Sequence, residues 1–360
     1  MLGAIALIVG GFVIVGIAGA VAYRAWRQGQ VAASLSIRAP RGVEEARFVR
    51  LGGIEQWVQI RGEDRDNPVL LVLHGGMAMS YAPFTPKFRA WEAQFTVVQW
   101  DRRGVAKTLA RNGVVRSGPM TLDQIVDDGL ELAQWLGAHL GKRKIILMGH
   151  SMGSQIGVTM AARRPELFHA YVATEQIIDM AQNEALSYQL IGDGLARHGD
   201  AKDVERLTRL GPPPYAKLRD WGVKQGLAET ADPLYGTMFK RQVGPLILFN
   251  PSWSLSDLWA FVRGNLFNGR VLYEQWMAFD ARQLGSRFET PIVVIQGQSD
   301  VMTPTPLVQA WFDAVHAPNK AIVLIAGGGH LTMFTRADDF LAALTTRVRP
   351  LALDGEAAAA

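Results

Sequence analysis

The sequence predicts an α/β fold. A mostly parallel sheet carries helices on both faces, is interrupted by an inserted helical cap, and is preceded by an N-terminal transmembrane helix. Three observations carry the prediction. Short continuous apolar runs alternate with helix-periodic segments through the first half of the chain and again near its C-terminus, the pattern of strands buried on both faces. Over residues 176–287 that alternation stops, and a helical, irregular stretch carries Pro212-Pro213-Pro214 and Trp221, Trp253, Trp259 and Trp276. Finally, the apolar run over residues 145–148 leads straight into Gly149-His150-Ser151-Met152-Gly153 and then into a helical pattern.

The elements follow in order. Residues 2–23 are uncharged and almost wholly apolar, and Arg24 and Arg27 come next. About 20 such residues at 1.5 Å each span a hydrocarbon layer, so residues 1–23 read as a single-pass membrane anchor. A cleavable signal peptide is the rival, with Ala18-Gly19-Ala20 or Ala20-Val21-Ala22 as cleavage sites. The lack of a basic residue before the run favours a retained anchor. Arg24, Arg27, Arg38 and Arg41 after it favour a cytoplasmic globular part. Residues 24–42 read as a basic linker. Residues 46–51 and 54–61 form a hairpin around Gly52-Gly53, and strands follow at 69–73 and 95–100. A helix is expected over 121–140, because Thr121 and Gln124 make a capping box and Ile125, Leu132, Leu136 and Leu140 recur at near-helical spacing. Strands at 169–174, 291–296 and 321–325 and helices at 306–315 and 331–346 complete a core made of residues 43–175 and 288–350. The cap is 176–287, and 351–360 read as a frayed tail.

Composition narrows the classes of function. The 360 residues are 49% hydrophobic with a formal charge of +4, and no basic run is interleaved with aromatics, so no nucleic-acid partner is expected. With no cysteine there is no disulfide, no thiol nucleophile and no thiolate metal site. No cofactor and no metal are expected.

The candidate chemistry centres on Ser151. In a strand-to-helix turn the serine takes strained backbone angles, and glycines at 149 and 153 are required where any side chain would meet the neighbouring strand and helix. A serine hydroxyl needs a base, and the base needs an orienting acid. Asp300 stands a few residues beyond the strand at 291–296, and His330 follows the strand at 321–325 across Gly327-Gly328-Gly329. The order Ser151, Asp300, His330 is the one this architecture uses. Glu175, ending the strand at 169–174, is the rival acid and otherwise a candidate substrate-binding carboxylate. His74-Gly75-Gly76 opens the loop opposite the serine. The N–H of Met152, with that of Gly76 or Met77, would form an oxyanion hole, and Gly76 is the choice.

These residues resemble the α/β-hydrolase family and, within it, the proline iminopeptidase-like branch. Residues 70–76 and 95–104 look like that branch's H-G-G and D-Q-R-G blocks, and Gly149–Gly153, residues 296–300 and Gly329-His330 look like its triad blocks. Two departures stand out: Met77-Ala78 follow the glycines, and Arg102 replaces the glutamine of D-Q-R-G. The resemblance implies a serine hydrolase, and iminopeptidases hold the free amino group of the substrate with cap carboxylates, a role Glu175 would fit and Glu184 could assist. The expectation is therefore hydrolysis of an amide or ester in a small-molecule or peptide substrate, as an N-terminal proline or amino-acid aminopeptidase. The alternatives are a carboxylesterase or lipase-like enzyme with an apolar acyl pocket, or a non-catalytic membrane-anchored binding protein on the same fold.

Overall fold

Continuous apolar strands can only be covered from both sides, and the chain satisfies them with one large sheet. A computed structural model describes the backbone of residues 2–357 and the side chains of residues 12 and 14–355. The sheet has eight strands: β1 (Val43–Leu51), β2 (Ile54–Gly62), β3 (Val69–Leu73), β4 (Thr96–Asp101), β5 (Ile145–His150), β6 (Phe168–Thr174), β7 (Ile292–Gly297) and β8 (Lys320–Ile325). Their spatial order is β1-β2-β4-β3-β5-β6-β7-β8, with β1 and β2 antiparallel and all pairs from β4 to β8 parallel. Parallel pairing puts the C-terminal ends of β5, β6 and β7 along one rim: Met148 pairs with Val172 and His150 with Thr174, while Thr174 pairs with Ile295. Ligands of open α/β sheets collect at that rim.

The first helix, α1 (Leu2–Leu35), differs from expectation. The linker read over 24–42 is helical as far as Leu35, because no proline interrupts it before Pro40 and because it is held to the helical segment that follows β6. Arg24 Nη2 donates to Trp253 O at 2.7 Å, and Gln28 Nε2 donates to Asn250 O at 2.6 Å. Among the described residues no helix is long and apolar enough to cross a membrane. Much of the expected span, residues 1–11 and 13, lies outside the residues whose side chains are described.

Helix α2 (Leu122–Leu140) starts where Thr121 Oγ1 accepts from Gln124 N at 3.1 Å, and it stops at Gly141 in the left-handed region. It buries Ile125, Leu132 and Leu136 on one face of the sheet together with α3 (Met152–Arg163). The opposite face is filled by Phe88, Trp91, Phe334 and Phe340, the last stacked on Trp91 at 5.4 Å. The C-terminal segment is also more ordered than read. Residues Arg349–Ala357 form a helix, Ala352 is fully buried, and a side chain at Gly355 would meet His169 Nδ1 at 2.9 Å. That docking, not fraying, ends the described chain; residues 358–360 lie outside it.

Between β6 and β7 runs the helical segment. It contains α4 (Met180–His198), capped by Asp179 accepting from Ala181 N at 2.8 Å, then α5 (Leu218–Ala231) and α6 (Leu255–Met277), which begins in a Ser254–Asp257 capping box. Polar bonds fasten it to the sheet: Asn268 Nδ2 to Gly104 O at 2.8 Å, Asn250 Nδ2 to Ala82 O at 2.9 Å, and Lys107 Nζ to Asp257 Oδ2 at 2.9 Å.

Candidate active site

Ser151 sits between β5 and α3 with φ 53° and ψ −123°, a conformation that costs a non-glycine residue about 1–3 kcal/mol and persists only where its surroundings impose it. The surroundings are tight. A Cβ at Gly153 would fall 2.4 Å from Leu73 O, and one at Gly149 would fall 2.8 Å from Ser154 Cα. Met152 opens α3, so its N–H lacks an intrahelical acceptor and lies at the positive end of the helix dipole.

Asp300 and His330 meet beneath the rim. His330 Nδ1 donates to Asp300 Oδ2 at 3.0 Å, which puts the ring proton on Nδ1 and leaves Nε2 as the basic nitrogen. Four further donors hold the carboxylate: Met302 N and Thr303 N donate to Oδ1 at 2.7 and 2.9 Å, and Thr303 Oγ1 and, at 3.4 Å, Gln296 Nε2 donate to Oδ2. Burial pushes the Asp300 carboxyl up, but His330 and the Thr303 bonds outweigh it and hold it below the usual carboxylate range. Ser151 and His330 both line one cavity of about 380 Å³, and Asp300 is buried behind the histidine.

The loop facing the serine is held by a relay that starts at Arg102. Its Nη1 lies 2.7 Å from both ring nitrogens of His74, and His74 Nδ1 lies 3.0 Å from Gly75 O. Because a peptide is planar and trans, fixing Gly75 O on that side turns Gly76 N–H to the other. Arg102 Nη2 also donates to Gly76 O at 3.1 Å and to Met77 O at 2.6 Å, and its guanidinium lies over the Trp276 ring at 5.6 Å. Burial and the neighbouring guanidinium hold His74 well below its ordinary pKa, so it is neutral; burial lowers Arg102 itself to about 9. Gly75, Gly76, Met77 and Met152 all line the cavity. Sequence reasoning saw Arg102 only as a departure from a motif; that departure was the available signal.

Glu175 is placed differently from expectation. It has φ 45° and no exposure, it accepts from Thr174 Oγ1, and it lies outside the cavity wall, 3.5 Å from His150 Nε2. The positive φ that follows β6 turns the carboxyl under the rim rather than into the opening. Burial first, and then the Asp300 charge, push its carboxyl well above the usual carboxylate range. The carboxylate that does line the cavity is Glu184, and it is paired with Lys224 Nζ at 2.6 Å. Lys224 is fully buried, which lowers its pKa, with Glu184 partly opposing. No spacing in the sequence announces a partner 40 residues away on another helix.

His150, next to the serine, holds the backbone of His330. Its Nε2 donates to His330 O at 3.2 Å, and its Nδ1 accepts from Tyr81 Oη at 2.6 Å. Burial, then the nearby His330, lower it to about 3, so it stays neutral. The rest of the wall is mostly apolar, with Met79, Phe84, Met180, Trp221 and Phe334 among its members, and Asn183, Gln225 and Asn265 add polar groups to it. Among the described residues no group of three or more His, Asp or Glu side chains is arranged to hold a metal ion.

A strained serine at a strand-to-helix turn, on a sheet of this order, defines a class. The profile of the alpha/beta hydrolase family matches residues 69–344, and the chain belongs to that family and is a hydrolase. Among its relatives is the probable aminopeptidase YbaC of Bacillus subtilis (strain 168), 27% identical over 274 residues that cover 75% of this chain and 85% of the relative. Solved structures similar in fold include a membrane phospholipase A described as a bacterial virulence factor, with TM-score 0.61, 16% identity and coverage of 96% and 98% of the two chains. The proline iminopeptidase of Mycobacterium smegmatis matches with TM-score 0.60 and 17% identity, over 86% of this chain and all of its own (100%).

Proposed function

We propose that the protein hydrolyses an amide or ester through a serine acyl-enzyme. Ser151 Oγ attacks the carbonyl carbon as His330 Nε2 takes its proton. Asp300 holds the Nδ1–H tautomer and stabilises the imidazolium. The N–H groups of Gly76 and Met152 receive the oxyanion. His330 then protonates the leaving amine or alcohol, and water, deprotonated by the same nitrogen, releases the acid. The observation that carries this reading is the combination of a strained Ser151 and an Asp300-oriented His330 on one cavity wall.

Two substrate classes follow from the wall. Its apolar lining and the charge-matched Glu184–Lys224 pair favour a neutral substrate with an apolar acyl group. The relative named an aminopeptidase, and the position of Glu184 on the wall, support the second reading, in which an amino terminus is held beside Glu184. Turnover of free prolyl amides, N-blocked prolyl amides and short acyl esters separates them, with Ser151→Ala as the blank. Esters and blocked amides are expected to be cleaved at least as well as free amides. Full turnover by Ser151→Ala would refute the nucleophile assignment.

A further inference from the structure

Apolar side chains at i, i+4, i+7 and i+11 form one stripe on a helix, and such a stripe usually faces a core. On α6 it faces outward. Leu255, Trp259, Val262 and Leu266 are 59%, 64%, 50% and 57% exposed, while Ala260, Gly264 and Asn268 turn inward, Gly264 and Asn268 against the turn at Gly104 and the helix Ala106–Asn112 that follows it. An unpaired surface of this kind marks an interaction site.

Its surroundings identify the partner. The stripe begins at Leu255, beside the segment where α1 is fastened by Arg24 Nε to Leu248 O at 2.9 Å and by Arg27 over the Phe249 ring at 5.2 Å. On α1 itself Ile14, Ile17 and Val21 are exposed as well. The charges alongside the stripe, Arg263 and Arg270, are exposed and basic. The acid near its start, Asp257, is buried and paired with Lys107, and Glu274 lies beyond its far end. Apolar anchors flanked by arginines fit an anionic lipid surface, where the anchors enter the acyl boundary and the guanidinium groups meet headgroup phosphates. At the other end of the stripe, Leu266 also lines the cavity that holds Ser151.

We propose that the outer face of α6 docks on an anionic lipid surface and opens the cavity toward it. Docking of this kind requires no helix to cross the bilayer, and it stands whether or not Ser151 is the nucleophile.

The absence of cysteine gives a direct test in the full-length chain. Val262→Cys and, as a control on the opposite edge of the sheet, Asp313→Cys are labelled with an environment-sensitive fluorophore. Each is mixed with vesicles of phosphatidylcholine and phosphatidylglycerol, with and without a spin-labelled lipid as quencher. The label at 262 is expected to shift to the blue and to be quenched by the spin-labelled lipid, more strongly as phosphatidylglycerol increases, while the label at 313 is unchanged. Equal responses at the two sites, or none, would overturn the proposal. A shift at 262 that grows with protein concentration without vesicles, and is not altered by them, would overturn it in favour of a second copy of the chain as occupant. In a second measurement, Trp259→Glu with Val262→Glu should lower turnover of a vesicle-borne ester by about tenfold or more, with a soluble short ester as the reference that remains unchanged. Equal losses on both esters would point to damage to the fold and overturn the docking role.

Discussion

At Asp300, five donors converge on one buried carboxylate: His330 Nδ1, Met302 N, Thr303 N, Thr303 Oγ1 and, at 3.4 Å, Gln296 Nε2. The carboxylate therefore stays ionised and fixes which nitrogen of His330 can accept a proton. Asp300→Asn should keep the fold but favour the wrong tautomer, lowering kcat by about 10⁴-fold with little change in melting temperature. Glu175 behaves in the opposite way. Its folded-state pKa is raised, so in the window above the ordinary carboxylate value the unfolded chain releases a proton that the folded chain keeps, and stability falls as pH rises. Glu175→Gln should therefore raise stability at pH 8 and leave it nearly unchanged at pH 4, read from urea midpoints at the two pH values. Lys224→Met would leave the Glu184 charge without its partner, at a cost of about 3–5 kcal/mol in stability. The same variant should lower KM for free aminoacyl amides relative to blocked ones, because the substrate ammonium then replaces the lysine.

Two elements set the reaction geometry, and they differ in how far the sequence announces them. The elbow was legible because its constraint is local. Gly149, Ser151 and Gly153 have to be small or strained wherever a strand turns this sharply into a helix, and Gly153→Ala, with its Cβ 2.4 Å from a backbone carbonyl, should cost about 3 kcal/mol. Differential scanning calorimetry would register that loss as a lower melting temperature. The loop at 74–77 was legible only in part. His74-Gly75-Gly76 marked its position, but the Arg102–His74–Gly75 relay depends on side chains brought together from β3 and the end of β4. Arg102→Met should reduce kcat by up to about 10²-fold with KM little changed, and Arg102→Gln, which can still donate to one carbonyl, should recover part of it.

At the scale of the molecule, periodicity was a sufficient guide to the strands and to α2, since burial on both faces imposes the apolar runs that reveal them. It misled where docking rather than local pattern decides. Residues 24–35 contain nothing that forbids a helix, and the cap supplies the reason to form one through Trp253 O and Asn250 O. Residues 349–357 resemble a loose end until Ala352 and Gly355 pack beside β6. Glu175 has the composition of a substrate-binding acid, but the backbone turn after β6 aims it inward, and a φ of 45° has no signature in a single sequence.

The insertion of the helical segment between β6 and β7 also has a consequence in time. During synthesis the stretch bearing Ser151 leaves the ribosome roughly 180 residues ahead of His330, an interval of about 9–36 s at ordinary elongation rates. On the proposed mechanism the serine lacks its proton acceptor throughout that interval and its orienting acid for all but the last 30 residues of it, so a nascent chain would be inert toward the esters and amides around it. Under that mechanism reactivity would arrive only when the last two strands join the sheet, which ties activation to their folding.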